Sequence, residues 1–96
     1  MLSPYKSECM DREKIIDLVG FVKISQYRVD ALKFIGDGMK MPVEIGKHLN
    51  IRTSHASNIL RVLSDNGLVR CTNPQRKKGR LYETTDLAKE VMKYLD

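Results

Sequence analysis

Apolar residues at Ile15, Ile16, Leu18, Val19 and Val22 recur three and four apart, the spacing that gathers side chains on one side of a helix. Asp11 stands ahead of them as a cap, and Gly20 weakens the far end of this first helix. Residues 1–10 carry no periodicity and form a loose lead-in. Ser25 caps a second helix whose apolar face is Val29, Ala31, Leu32 and Ile35, until Gly36, Asp37 and Gly38 stop it. Pro42 opens a third, short helix, because the N–H it lacks would have had no partner in a first turn. Met41 is a poor cap for it.

Ile45 and Leu49 of this short helix lie one turn apart and face the core, while Gly46 offers no side chain to hold off a crossing helix. Asn50 ends it, since Asn tolerates the left-handed conformation better than any residue except Gly. Ile51 plugs the corner, Arg52 or Thr53 is the first residue outside, and a fourth helix runs over about residues 53–66 until Asn66 and Gly67 close it. Beyond Leu68 the pattern changes. "LVRCT" and "RLYET" are short β-branched and aromatic runs separated by "NPQRKKG", a hairpin with a long loop over 73–80. Thr85 or Asp86 then caps a last helix reaching Leu95, with Leu87, Val91 and Leu95 at successive turns and Ala88 and Met92 widening that face.

The fourth helix has an unusual polar face. With Ala56 at zero and about 100° per residue, Ile59, Leu60 and Leu63 fall within about 60°, whereas Ser54, Ser57, Asn58, Arg61 and Asp65 fall about 100° to 200° away. A face that served solubility alone would use Glu and Lys. Ser, Asn and Arg instead hydrogen-bond base edges and phosphates: Asn pairs bidentately with adenine, Arg with guanine, and Ser lets a helix sit deep in a major groove. Asp65 would repel phosphate, so it is expected to point away from a nucleic-acid backbone or to pair with a basic neighbour.

Charge sharpens the picture. Of 17 Lys and Arg, five (Arg70, Arg76, Lys77, Lys78 and Arg80) fall between positions 70 and 80 with no acidic residue among them, and the remaining 12 are matched by 12 Asp and Glu. The whole excess of +5 therefore sits on one hairpin. Beside a groove-reading helix, such a loop reaches flanking phosphates or an adjacent minor groove and makes binding salt-sensitive. Gly79 permits its turn, and Tyr82 is expected to pack on the core.

Helix, helix, tight corner, helix and two-stranded ribbon is the order of a winged helix-turn-helix, mainly α with a small β-hairpin wing. The corner's requirements (apolar then tiny residue, apolar plug, two apolar anchors) are met by Ile45, Gly46, Leu49, Ile51, Ala56 and Ile59. On "SHASNILRVLSDNGLVR" and "KKGRLYETT", and over about residues 25–95, the chain resembles the winged-helix transcriptional regulators of the ArsR and MarR-like superfamily, most of all its small archaeal members. The resemblance implies a dimeric DNA-binding protein that controls a promoter by occupying it. Met41 and Asn50 replace the commoner Thr and Gly, and the metal-sensing cysteine pair of ArsR proteins is absent from 54–63, which argues against metal sensing.

Size and composition bound the rest. Ninety-six residues, 42% of them hydrophobic, suffice for one core, so 11–96 is expected to be a single domain. The longest mainly apolar stretch, 15–24, is interrupted by Asp17, Gly20 and Lys23 and is far short of the roughly 20 residues a membrane span needs. With no apolar leader at the start, the protein is expected in the cytoplasm, where Cys9 and Cys71 are ordinary reduced thiols. No nucleophile and base stand at recognisable spacing and no Gly-rich phosphate loop occurs, so neither catalysis nor a cofactor or metal is expected.

The expected partner is double-stranded DNA, with Ser54, Ser57, Asn58 and Arg61 on or near bases and Arg52, Thr53, His55, Arg76, Lys77, Lys78 and Arg80 on phosphates or the minor groove. His48 is expected to be an ordinary surface or satisfied side chain. A homodimer is expected through the first and last helices, since paired half-sites multiply specificity. Two other classes share these features: a sequence-indifferent nucleoid protein and a winged-helix protein-interaction module.

Overall fold

The computed structural model describes residues 12–95. The expected lead-in over 1–10, Cys9 and the Asp11 cap lie outside the described residues. Helix α1 (Arg12–Lys23) buries Ile15, Leu18 and Val22, while Ile16 is 55% exposed. Gly20, expected to weaken its end, lies within its last turn. A side chain there would meet nothing within 4 Å, so the glycine lies on an open face of a helix that runs on to Lys23. Helix α2 (Gln26–Ile35) begins after Ser25, whose side chain makes no cap bond, and ends at Gly36, where φ is 53°. Arg28 ties the two helices together: its Nη1 donates to the Phe21 carbonyl at 2.7 Å and its guanidinium lies 4.2 Å from the Phe21 ring centre.

Helix α3 (Pro42–Leu49) starts after Met41. That residue is a weak cap in itself, but Glu44 reaches back and its Oε1 accepts from the Met41 amide at 2.8 Å, so half of a capping box forms without a Ser or Thr. Asn50 closes the helix in the left-handed conformation, with φ 60° and ψ 46°. Helix α4 (Thr53–Asp65) then crosses α3, with Arg52 as the residue before it. It buries Ala56, Ile59, Leu60 and Leu63 and ends in a turn at Gly67 (φ 75°), where Leu68 N donates to the Leu63 carbonyl at 2.9 Å. The end falls one residue short of the expected 66.

The sheet is larger than the expected ribbon. Strands β2 (Val69–Cys71) and β3 (Tyr82–Thr84) form the hairpin, with Arg70 opposite Glu83, but β3 also pairs antiparallel with β1 (Met39–Lys40), giving the order β1-β3-β2. Buried Thr84 fixes this sheet to the end of α2, its Oγ1 donating to the Gly36 carbonyl at 2.8 Å. Helix α5 (Asp86–Met92) is capped by Thr85, whose Oγ1 accepts from Ala88 N at 3.2 Å and donates to the Gly67 carbonyl at 2.6 Å. It stops at Met92, three residues before the expected Leu95, which packs half-buried on the core after the helix has ended.

One core unites all five helices with Leu68 and Val69, and α5 lies back against α1. Tyr82 packs half-buried against it, as expected. The order α1-α2-β1-α3-α4-β2-β3-α5 is a winged helix-turn-helix, with α3 and α4 as the two crossing helices and the β2–β3 hairpin as the wing. Among the described residues no helix is long and apolar enough to cross a membrane.

Candidate nucleic-acid interface

The tight corner between α3 and α4 sets the attitude of α4, and the hairpin continuing from its end sets the attitude of the wing. Between them lies a cleft of about 670 Å³. From α4 it is lined by Thr53, Ser57, Arg61 and Ser64, which recur four, four and three residues apart along one edge of the helix. From the wing it is lined by Lys77, Lys78, Gly79 and Arg80, and Pro42, Val43, Cys71 and Tyr82 also line it. The polar edge of α4 and the cationic hairpin tip thus face one concavity.

Arg52, Ser54, His55 and Asn58 lie on the other flank of α4, where with Ile51 they line a second hollow of about 470 Å³. His55 stands edge-on to Tyr27 of α2, with ring centres 5.2 Å apart. The side chains of both groups are exposed. At the crest between the flanks, Arg61 Nη2 donates to Asn58 Oδ1 at 3.1 Å.

The wing's four central cations divide into two kinds. Arg80 bonds to its own loop: its Nε donates to the Arg76 carbonyl at 2.6 Å and its Nη2 to the Pro74 carbonyl at 3.5 Å. Arg76 Nε donates to the Lys78 carbonyl at 3.3 Å and lines neither concavity. Lys77 and Lys78 have no bonded partner among the described residues and project from the tip. Asn73 organises this loop from inside, since its Oδ1 accepts from Leu81 N at 2.8 Å and its Nδ2 donates to the Gly79 carbonyl at 3.1 Å. Arg70, counted with the basic run, is matched by Glu83 directly across the strand pair. The hairpin register implied by "LVRCT" and "RLYET" is the signal that could have found this pair.

Ser64, Pro42 and Val43 were not among the expected interface residues. Ser64 lies about 80° from Ala56 on a helical projection, between the two arcs, and the wing brings that edge into the cleft. Pro42 and Val43 show only capping and turn signals in sequence. Asp65 is exposed and has no bonded partner among the described residues, so of the two alternatives expected for it the pairing with a basic neighbour is not the one formed. His48 stacks on Phe34, with ring centres 4.0 Å apart and planes inclined by 8°, a surface packing role. Cys71 is half-buried with its thiol free of any disulfide, and among the described residues no group of three His, Cys, Asp or Glu could hold a metal ion.

Comparison with solved structures finds a similar fold in a homodimeric winged helix-turn-helix DNA-binding domain from Mycobacterium bovis, described as a possible ArsR-family transcriptional regulator and determined by solution NMR. The two superpose with a TM-score of 0.64 at 20% sequence identity, over 95% of this chain and 83% of the other. No family model and no curated protein matches the sequence.

Proposed function

We propose that this chain is a sequence-specific, double-stranded DNA-binding transcriptional regulator of the ArsR and MarR-like kind, acting in the cytoplasm as a homodimer with residues 11–96 as its single domain. The observation that carries this reading is the shared concavity: Thr53, Ser57, Arg61 and Ser64 of the crossing helix face the same cleft as Lys77, Lys78 and Arg80 of the wing. A helix bearing short hydrogen-bonding side chains enters the major groove, and a cationic tip beside it meets the flanking backbone or minor groove. Ser54, Ser57, Asn58 and Arg61 contact bases, and Arg52, Thr53, His55, Lys77 and Lys78 contact phosphates. Arg76 and Arg80 present charge from a loop whose shape they also hold.

Dimerisation through α1 and the C-terminal helix is supported by the apolar surface these leave uncovered. Ile16 is 55% exposed, Ile24 is 79% exposed, and Gly20 lies one turn from each with open space before it. Tyr94, just after α5, adds 49% exposure. The M. bovis domain is itself homodimeric.

Selection of bound duplexes from a random pool, read at two salt concentrations, tests the proposal. A regulator yields a defined, two-fold repeated motif. A nucleoid-type protein yields binding without a motif, and a protein-interaction module yields no binding, and either result overturns the reading.

A further inference from the structure

Asn58 and Arg61 stand one turn apart on the crest of α4, Asn58 bordering the hollow and Arg61 the cleft, with Arg61 Nη2 donating to Asn58 Oδ1 at 3.1 Å. We propose that this pair is a single reading unit that turns mainly hydrogen-bond donors to the major groove, so that the recognised site carries a guanine next to a second guanine or a thymine. The inference rests on the DNA-binding reading above and adds to it the chemistry of the bases chosen.

A carboxamide carries its acceptor oxygen and its NH2 donor on opposite sides of one carbon. Pairing with adenine uses both together, the oxygen taking the N6 amino proton and the NH2 giving to N7. In this structure one lone pair of the oxygen is taken by Arg61, which draws the oxygen along the helix and out of the two-point geometry that adenine requires, while the NH2 keeps both its protons. The guanidinium has no acceptor at all, and after giving one of its five N–H groups to Asn58 it keeps four, enough to fork onto guanine N7 and O6. Among the described residues Arg61 has no ion-pair partner, so its charge stays available to the groove.

Two donors side by side match the acceptors of guanine (N7 and O6) and thymine (O4). Cytosine, which shows only its amino group in the major groove, would set N–H against N–H and strand desolvated donors without partners, and adenine offers a single acceptor, N7, beside an amino group that opposes a second donor. Because both side chains are exposed, the bond between them also restricts their rotamers before DNA arrives and lowers the ordering cost of binding.

The test is selection from a random duplex pool with the full chain and with its Asn58→Asp and Asn58→Ala variants, each checked for helical content by circular dichroism. The unmodified chain is expected to enrich guanine at one position and guanine or thymine beside it, with other bases weakening binding roughly 5- to 150-fold. Asn58→Asp keeps an acceptor for Arg61 but replaces the NH2 by oxygen, so guanine should persist at the first position while the neighbour shifts to cytosine or adenine. Asn58→Ala should erase the neighbour's preference and weaken that for guanine. Enrichment of adenine or cytosine by the unmodified chain at either position, or an unchanged neighbour in Asn58→Asp, overturns the inference alone. Binding to no duplex overturns the DNA-binding reading with it.

Discussion

The Ile51 amide donates to the Gly46 carbonyl at 2.9 Å, and a Cβ at Gly46 would lie 3.0 Å from the Ile51 carbonyl oxygen. The bond and the missing methyl are two sides of one close approach: the chain leaving α3 folds back over the glycine before α4 begins. Thr53 N and the Arg52 carbonyl carbon lie within 3.6 Å of the same point, so the angle between the two crossing helices is set where only backbone fits.

Alanine at Gly46 would gain about 1 kcal/mol of helix propensity, but backbone atoms, unlike a flexible side chain, cannot rotate out of its way. Gly46→Ala is therefore expected to lower stability by about 1 kcal/mol net, and Gly46→Leu by about 3 kcal/mol or more. A shift of the urea midpoint at constant slope measures this, and a stabilised alanine variant would contradict it.

Arg61 combines exposure, a cleft position and a partner that orients it. Arg61→Ala should cost about 1 to 3 kcal/mol of affinity for the selected duplex and broaden the preference at one base pair, with little change for random DNA. Equal loss on both duplexes would make Arg61 a phosphate contact instead.

The wing's lysines and its Asn73 should fail in different ways. Lys77→Ala removes a projecting cation, so it should weaken all duplexes alike and flatten the plot of log affinity against log salt by about one unit. Asn73→Ala removes the side chain that holds Leu81 N and the Gly79 carbonyl while leaving every cation in place. It should lower affinity, leave the salt slope nearly unchanged and speed hydrogen exchange at the Leu81 amide. A flattened slope in Asn73→Ala would show that ordering the loop is not its role.

Exposed Ile16 and Ile24 offer the dimer test. Ile24→Glu puts a charge where a second copy would have to desolvate it, so sedimentation at micromolar concentration should move from a dimer to the 11.0 kDa monomer, with circular dichroism unchanged. A parent chain already monomeric under those conditions would remove the homodimer.

Much of this molecule is legible residue by residue. The helical periods of α1 to α5, the Gly36 stop, the left-handed Asn50 and the Gly46 corner follow from local backbone sterics and from which side chains water rejects, and both act within one or two turns of chain. The serine, asparagine and arginine face of α4 was visible for the same reason, because burying Ala56, Ile59, Leu60 and Leu63 leaves one arc outward.

Strand β1 was not visible, since two residues carry no period and Met39 and Lys40 become a strand only because β3 supplies partners more than forty positions away. Nor was the bonding of Arg76 and Arg80 to the loop's own carbonyls, which depends on where those carbonyls fall once Asn73 has closed the hairpin. The amino-acid order by itself determined which faces are apolar, where the helices break and where positive charge accumulates, because these are properties of neighbours along the chain. Tertiary structure alone decided that the edge of α4 and the tip of the wing share a cleft, and that Thr84 of the sheet meets the Gly36 carbonyl at the end of α2. Each of these depends on side chains meeting at a particular distance and angle, and only the packed core fixes those.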